Sequence, residues 1–371
     1  MKKFALGISA IALSVGLCTA AQADIVIATA GPMTGDYAAF GQQMRSGATA
    51  AVKDINAKGG VNGESLVLEI GDDVCDPKQA VAVANDFVQK EVVFVAGHFC
   101  SGSSIPASDV YIEEGILQMT PASTNPQFTD GPAAEGVTTI FRTCGRDDQQ
   151  GDFAGKWIAT HMGDKNIAVL HDKSTYGKGI ADLTKAMLNA EGVTEKLYEA
   201  YTAGEQDYTA LVSKLKAEGI DVIYLGGYHT EGALIVRQAR EQGLEAQLIG
   251  PDSLNTLEFV SIAGDAADGV MFSNAAEARN LPSAQEVVAE IRKGGFEPEG
   301  YTLSTYAAIQ VWAMAANAAG TTDSETVAET LRSKDWDTVI GTIGFNESGD
   351  LKEASYVWYE FKDGDYEEMA R

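Results

Sequence analysis

The chain is short of basic residues: 27 lysines and arginines stand against 53 aspartates and glutamates over 371 residues, a formal net charge of −26. A surface of that sign repels nucleic acid and anionic lipid and favours solubility, and it says little about fold. Histidine is scarce too. The four present are His98, His161, His171 and His229, and none sits with a serine in a G-x-S-x-G elbow. No Walker loop and no G-x-G-x-x-G fingerprint occurs, which argues against nucleotide binding. No C-x-x-C or H-x-x-x-H pair marks a metal centre. There is no low-complexity tract, solenoid repeat or heptad pattern, and no Pro- or Ser-rich linker divides the chain. Beyond the N-terminus, no stretch approaches the roughly 20 apolar residues that a membrane span needs.

The N-terminus itself reads as an export signal. Met1-Lys2-Lys3 is positive, Phe4 to Ala20 is apolar, and Ala21-Gln22-Ala23 has the A-x-A form of a cleavage site. Leu17 stands before Cys18, where a lipid anchor would need a small residue, so cleavage after Ala23 and a periplasmic location are expected. The leader takes two lysines and no acids with it, which leaves the mature chain at −28. The mature length exceeds what one hydrophobic core usually serves, and two lobes are expected.

Three cysteines remain, Cys75, Cys100 and Cys144. In an oxidising compartment a disulfide is the first reading for any pair that meets in space. Cys75 and Cys100 each follow a probable strand, so adjacent parallel strands would bring them together. The rival is a metal site that adds His98, Asp72 and Asp73, and it lacks the spacing of a known metal centre. No metal or cofactor is expected. Cys144 is then a buried, inert thiol, and a bridged Cys100 is no nucleophile for a thiol enzyme.

Strand and helix alternate along the mature chain. Ile25–Thr29, Leu66–Ile70, Val92–Ala96, Asn166–His171, Asp221–Leu225 and Gln247–Ile249 read as strands, with a closing strand near Tyr356–Phe361. Helical spacing runs through Phe40–Ala57, Lys78–Gln89, Tyr176–Ala190, Asp207–Glu218 and Thr302–Ala318. Repeated β-α-β predicts an α/β fold of two doubly wound parallel-sheet lobes. Crossings near Arg142-Thr143, Phe272–Asn274 and Gly349–Leu351 would form a three-strand hinge able to close on a ligand. Three loops at strand ends, Gly71–Pro77, Gly97–Ser104 and Thr120–Pro126, should meet in one crevice, which is where open α/β sheets bind small molecules.

Several long segments match one family in order: Asp72–Asn85, Gly97–Ser101, Thr120–Thr124, His171–Lys173 with Tyr176-Gly177, and Tyr224–His229. Over essentially the whole mature chain the sequence resembles the leucine-isoleucine-valine binding proteins, solute receptors of bacterial amino acid importers with the periplasmic binding protein type I fold. The resemblance implies a first lobe of residues 24–142 and 276–352 and a second of 143–275 and 353–371. It implies that Ser101 and Thr124 bind a ligand carboxylate, and that the Ala122 carbonyl and Thr124 hydroxyl accept from its ammonium. Ser103 and Ser123 lie on the same loops. Any one loop serine more often caps a helix, and it is the constellation that points to a ligand. Asp252 projects from a strand end where the family commonly has glutamate. An aspartate is shorter and requires tighter closure or a bridging water to meet the ammonium. Tyr176 and Tyr228 match aromatics that cover the ligand. Phe40, Phe99, the disulfide and Tyr301 should form the side-chain pocket. Phe99 and Tyr301 are bulkier than the family's leucine and phenylalanine, so the preference is expected to lean toward valine, alanine or similar small side chains. An ABC permease is the implied protein partner, and a monomer is expected. The rivals are a sensing receptor of the same fold, which would normally be tethered to the membrane, and a binder of small unbranched amino acids such as alanine or 4-aminobutyrate.

Overall fold

A computed structural model describes residues 24–369. The leader and its cleavage site lie outside the described residues. The first sheet is built from β1 (Ile25–Gly31), β2 (Leu66–Asp72), β3 (Phe94–Gly97), β4 (Leu117–Thr120) and β5 (Ile140–Arg142). Between them run α1 (Ala38–Ala57), α2 (Pro77–Gln89), α3 (Ser101–Glu113) and α4 (Gln127–Ala134). The strands lie side by side in the order β2-β1-β3-β4-β5, all parallel. Except in the edge strand β2, where Val67 and Ile70 are exposed, their buried and largely apolar character is what a sheet covered on both faces demands. Local chemistry sets the helix ends. Asp76 caps α2 by accepting from the Lys78 and Gln79 amides, with Pro77 in the first helical position.

The chain then crosses to a second sheet. It begins with α5 (Asp147–Met162) and continues through β6 (Ile167–His171), α6 (Thr175–Ala190), β7 (Leu197–Ala200), α7 (Thr209–Ala217) and β8 (Val222–Gly226). It runs on through α8 (His229–Glu241), β9 (Gln247–Gly250), α9 (Leu257–Ala263) and β10 (Met271–Asn274). The chain returns to the first sheet with α10 (Gln285–Lys293), α11 (Thr302–Ala319), α12 (Ser324–Arg332) and a small hairpin of β11 (Trp336–Thr338) and β12 (Gly341–Ile343). A third crossing delivers β13 (Val357–Lys362) and β14 (Asp365–Glu368) to the second sheet, whose order is β14-β13-β10-β9-β8-β6-β7.

Every strand and helix expected from the sequence is present within a few residues. The second sheet departs from the parallel expectation at one edge, where β13 runs antiparallel to β10 and β14 antiparallel to β13. No helical crossover precedes β13, and β14 follows through a two-residue turn, so neither strand has the connection that parallel pairing needs. The turn is Asp363-Gly364, both at positive φ (53° and 85°), the Asp-Gly signature of a tight hairpin.

Two apolar layers sandwich the first sheet. One joins it to α1, α10, α11 and α12, where Trp312 stacks on Phe94 at 4.7 Å, and the other to α2 and α3. Gly47 lets α1 lie against the start of α11: a Cβ there would fall 2.1 Å from the Thr302 carbonyl oxygen. A further cluster runs from Phe40, Met44 and Phe99 on one side to Tyr176, Tyr224 and Ile249 on the other, so the two sheets share apolar contact at one place.

Candidate functional site

That place is the crevice at the carboxyl ends of the strands. The loop after β2 and the start of α3 are tied by a disulfide between Cys75 and Cys100, with Cα atoms 5.5 Å apart. The groups of the rival metal reading are engaged elsewhere. His98 is fully buried, with Nδ1 2.6 Å from Asp73 and Nε2 2.9 Å from the Tyr111 hydroxyl, and Asp72 accepts from the Met33 and Thr34 amides. Among the described residues no group of three or more His, Cys, Asp or Glu side chains could hold a metal ion.

A small cavity of about 10 Å³, no larger than one water, lies between the sheets, lined by Phe99, Ser101, Ala122, Tyr176, Tyr228, Asp252, Ser253 and Tyr301. Seven of these eight were expected from the sequence. Ser101 opens α3, with its hydroxyl accepting the Asn125 N–H at 3.3 Å. Ala122 follows β4, and its amide is turned back onto the Thr120 hydroxyl. Tyr176 stands in the first turn of α6 and Tyr228 just before α8, their rings 5.2 Å apart. Asp252 sits in a short 3₁₀ turn after β9.

Thr124 and Phe40 stand one layer back. The Thr124 hydroxyl is buried with no partner within 3.5 Å, and the residue lines an adjoining crevice of about 390 Å³ on the hinge side. Phe40 stacks on Phe99 at 4.5 Å and supports the wall from behind. Ser123 is committed elsewhere: its hydroxyl pairs with Ser104 at 2.6 Å and donates to the Phe99 carbonyl at 2.8 Å, bracing the loop against α3. Ser103 lies buried in α3, outside the cavity lining. Cys144 is unpaired, with its sulfur 3.5 Å from the Ser123 carbonyl, and burial pushes its thiol far up, so it stays protonated.

Asp252 joins the two sides. Tyr176, on the same side, donates to Oδ1 at 2.7 Å, and Tyr301, from the residue before α11, donates to Oδ2 at 2.7 Å. The hydroxyl that sets Tyr301 apart from a phenylalanine thus reaches the shorter carboxylate, and it does more than narrow the pocket. Burial raises the Asp252 carboxyl pKa, and the two tyrosine hydroxyls oppose that rise. Burial and the Asp252 charge push both tyrosines well above their ordinary range, which keeps them as donors.

Several residues that complete the site carried no sequence signal. Arg142, fully buried at the end of β5, donates to the Ser123 and Asn125 carbonyls and lies 2.7 Å from Asp350, so it holds the Ala122–Asn125 loop from beneath. Arg146 adds a second contact to Asp350 at 2.9 Å where the chain crosses. At the rim, Tyr37 donates to Glu231 (3.2 Å) and Thr230 donates to the Asp36 carbonyl (2.9 Å) across the crevice. These contacts join residues about 194 positions apart in sequence, which no local pattern announces.

The periplasmic binding protein family profile matches residues 24–365. An amino acid binding protein of Pseudomonas aeruginosa is 50% identical, with 99% of each chain covered. Leu/Ile/Val-binding protein homolog 1 of Brucella suis is 47% identical over 98% of this chain and 97% of the relative. Among solved structures, a leucine-binding protein of Thermotoga maritima superposes with a TM-score of 0.85 at 28% identity, covering 93% of this chain and 98% of that one. The branched-chain amino acid transporter substrate-binding protein of Streptococcus pneumoniae, solved with isoleucine, gives 0.84 at 25% identity over 93% and 98% of the two chains. With a family match from residue 24 to residue 365 and relatives near half identity from end to end, this chain belongs to the periplasmic binding protein family.

Proposed function

We propose that the protein is the exported receptor of an ABC importer, which captures an aliphatic L-amino acid, branched-chain or small and neutral, by lobe closure. The observation that carries this reading is the cavity between the two sheets, where a buried acid meets hydroxyl and backbone groups. A zwitterion leaving water needs both charges met, because an unpaired buried charge is costly. Ser101 and Thr124, with the loop amides, are suited to the carboxylate, and the Ala122 carbonyl, Thr124 hydroxyl and Asp252 to the ammonium. Phe99 and Tyr301, with Phe40 behind them, are suited to wall the apolar end of the site, where the ligand side chain would lie once the lobes part to admit it. The names of the relatives agree: leucine, isoleucine and valine recur among them.

Capture then proceeds without bond chemistry. Residues 24–142 and 276–352 form the lobe that receives the ligand, and residues 143–275 and 353–371 the lobe that closes over it. Closure brings Tyr176, Tyr228 and Asp252 onto the ligand and completes the Tyr301–Asp252 contact. The closed, acidic surface is what a permease reads. The mature protein acts in the periplasm as a monomer.

A thermal-melting screen of the mature protein against the L-amino acids tests this. A ligand that binds only the folded state raises the melting temperature, by about 2.7 kcal/mol of added stability at a hundredfold excess over Kd. Shifts are expected with leucine, isoleucine, valine or alanine. Shifts confined to acidic or basic amino acids would overturn the pocket reading, and no shift with any aliphatic one would overturn the function.

A further inference from the structure

A second acid lies next to this site, and the contacts described so far give it no work. Asp147 is the first residue of α5, just past the first crossing between the sheets. It is fully buried, with no donor among the described residues within 3.5 Å of either carboxylate oxygen, although the Thr124 hydroxyl is close enough to favour its anion. Its backbone amide donates to the Thr124 carbonyl at 2.9 Å, so it is fixed to the residue whose own hydroxyl is buried and unpartnered. A Cβ added at Gly179 would stand 3.9 Å from Asp147 Oδ2, which puts the carboxylate against α6, one turn from Tyr176. A buried carboxylate is normally paired or held by several donors.

We propose that Asp147 is a second ligand-recognition acid, which acts with Asp252 so that the bound amine meets two negative charges around Thr124. The inference rests on the amino acid reading above and deepens it. With two acids at the amine end, the site selects a full cation there and discriminates against neutral isosteres such as hydroxy acids.

The surroundings give this arrangement a proton signature. Burial, helped by the Asp252 and Asp148 charges and opposed by the Thr124 hydroxyl and the Arg142 guanidinium, pushes the Asp147 carboxyl up to about 8. Tyr176 on α6, Tyr224 on β8 and Tyr228 before α8 face it from the second sheet, and all three are pushed up by burial and stay protonated. Cys144 and Tyr356 on the crossings are likewise protonated. Arg142, the cation whose charge acts on it, is already engaged by Asp350. Near neutral pH, Asp147 therefore holds a proton until a cation arrives. An ammonium beside it favours the anion, and the proton leaves to solvent.

The test is isothermal calorimetry with leucine or alanine at pH 7 in buffers of different ionisation enthalpy, on the wild-type protein and Asp147→Asn. The wild-type protein should release close to one proton per ligand. In Asp147→Asn the release should vanish and affinity should fall about tenfold or more, the scale of a hydrogen bond to a charged group, while affinity for the matching hydroxy acid stays within twofold. Binding within twofold of wild type with unchanged proton release would overturn the proposal. If the variant does not fold, the wild-type protein decides alone: amino acid binding with no buffer dependence overturns it. Absence of binding to any aliphatic amino acid would instead overturn the functional reading.

Discussion

At the scale of single residues, the proposed selectivity turns on Phe99. It stands between the disulfide and the cavity, with Phe40 stacked on one face at 4.5 Å and the Tyr301 ring set edge-on at 4.9 Å. Phe99→Leu enlarges the pocket by part of a ring and should shift the preference between leucine and alanine toward leucine. A methylene of fit is worth about 1–3 kcal/mol, or roughly 10–200-fold. Competitive binding of the two ligands to the variant checks this, and an unchanged ratio would show that Phe99 merely packs. Asp252 was legible from its place at a strand end, whereas Phe99, Tyr176 and Tyr228 were singled out through the family resemblance. Arg142 and Asp147 were not. An arginine ending a strand and an aspartate opening a helix look like ordinary surface residues until distant segments bury them. Ser123 differs from its neighbour for a related reason: Ala122 lines the cavity, while the Ser123 hydroxyl is taken by Ser104 of α3 and the Phe99 carbonyl.

At the scale of elements, the site depends on how firmly the loops after β2, β3 and β4 are held. The Cys75–Cys100 bridge spans 25 positions and ties two of these loops together. Closing a loop of that length restricts the unfolded chain and stabilises by about 3–4 kcal/mol in the chain-entropy account. A Cys75→Ala, Cys100→Ala double variant should lose about that much in a denaturant titration. It should also weaken ligand binding, because Ser101 directly follows Cys100 at the start of α3. Full affinity alongside lost stability would mean that the strut supports the fold and not the site. The alternation of strands and helices was readable throughout. The reversal of β13 and β14 was not, because strand direction depends on the connection, although the Asp363-Gly364 turn was present in the sequence as a hairpin signal.

At the scale of the whole molecule, the surplus of acids shapes the response to pH. Burial, opposed by bonds from Ser174, raises the Asp172 carboxyl to about 6, and Asp147 stands near 8. An unfolded aspartate releases its proton near pH 4. Between about pH 4 and pH 8 the folded state therefore binds more protons than the unfolded one, and the stability contributed by these two groups falls as pH rises. Asp172→Asn should flatten that fall between about pH 4 and 6, as read from urea midpoints of the ligand-free protein; an unaltered slope would place the linkage elsewhere. The triple crossing carries a consequence of another kind, one of time. The layer beneath the first sheet needs Trp312 of α11 and Leu331 of α12, and the second sheet lacks β13 until residue 357. A chain that emerges N-terminus first can finish neither half until almost all of it has appeared. The order of the crossings thus defers the completion of both halves to the same last few dozen residues.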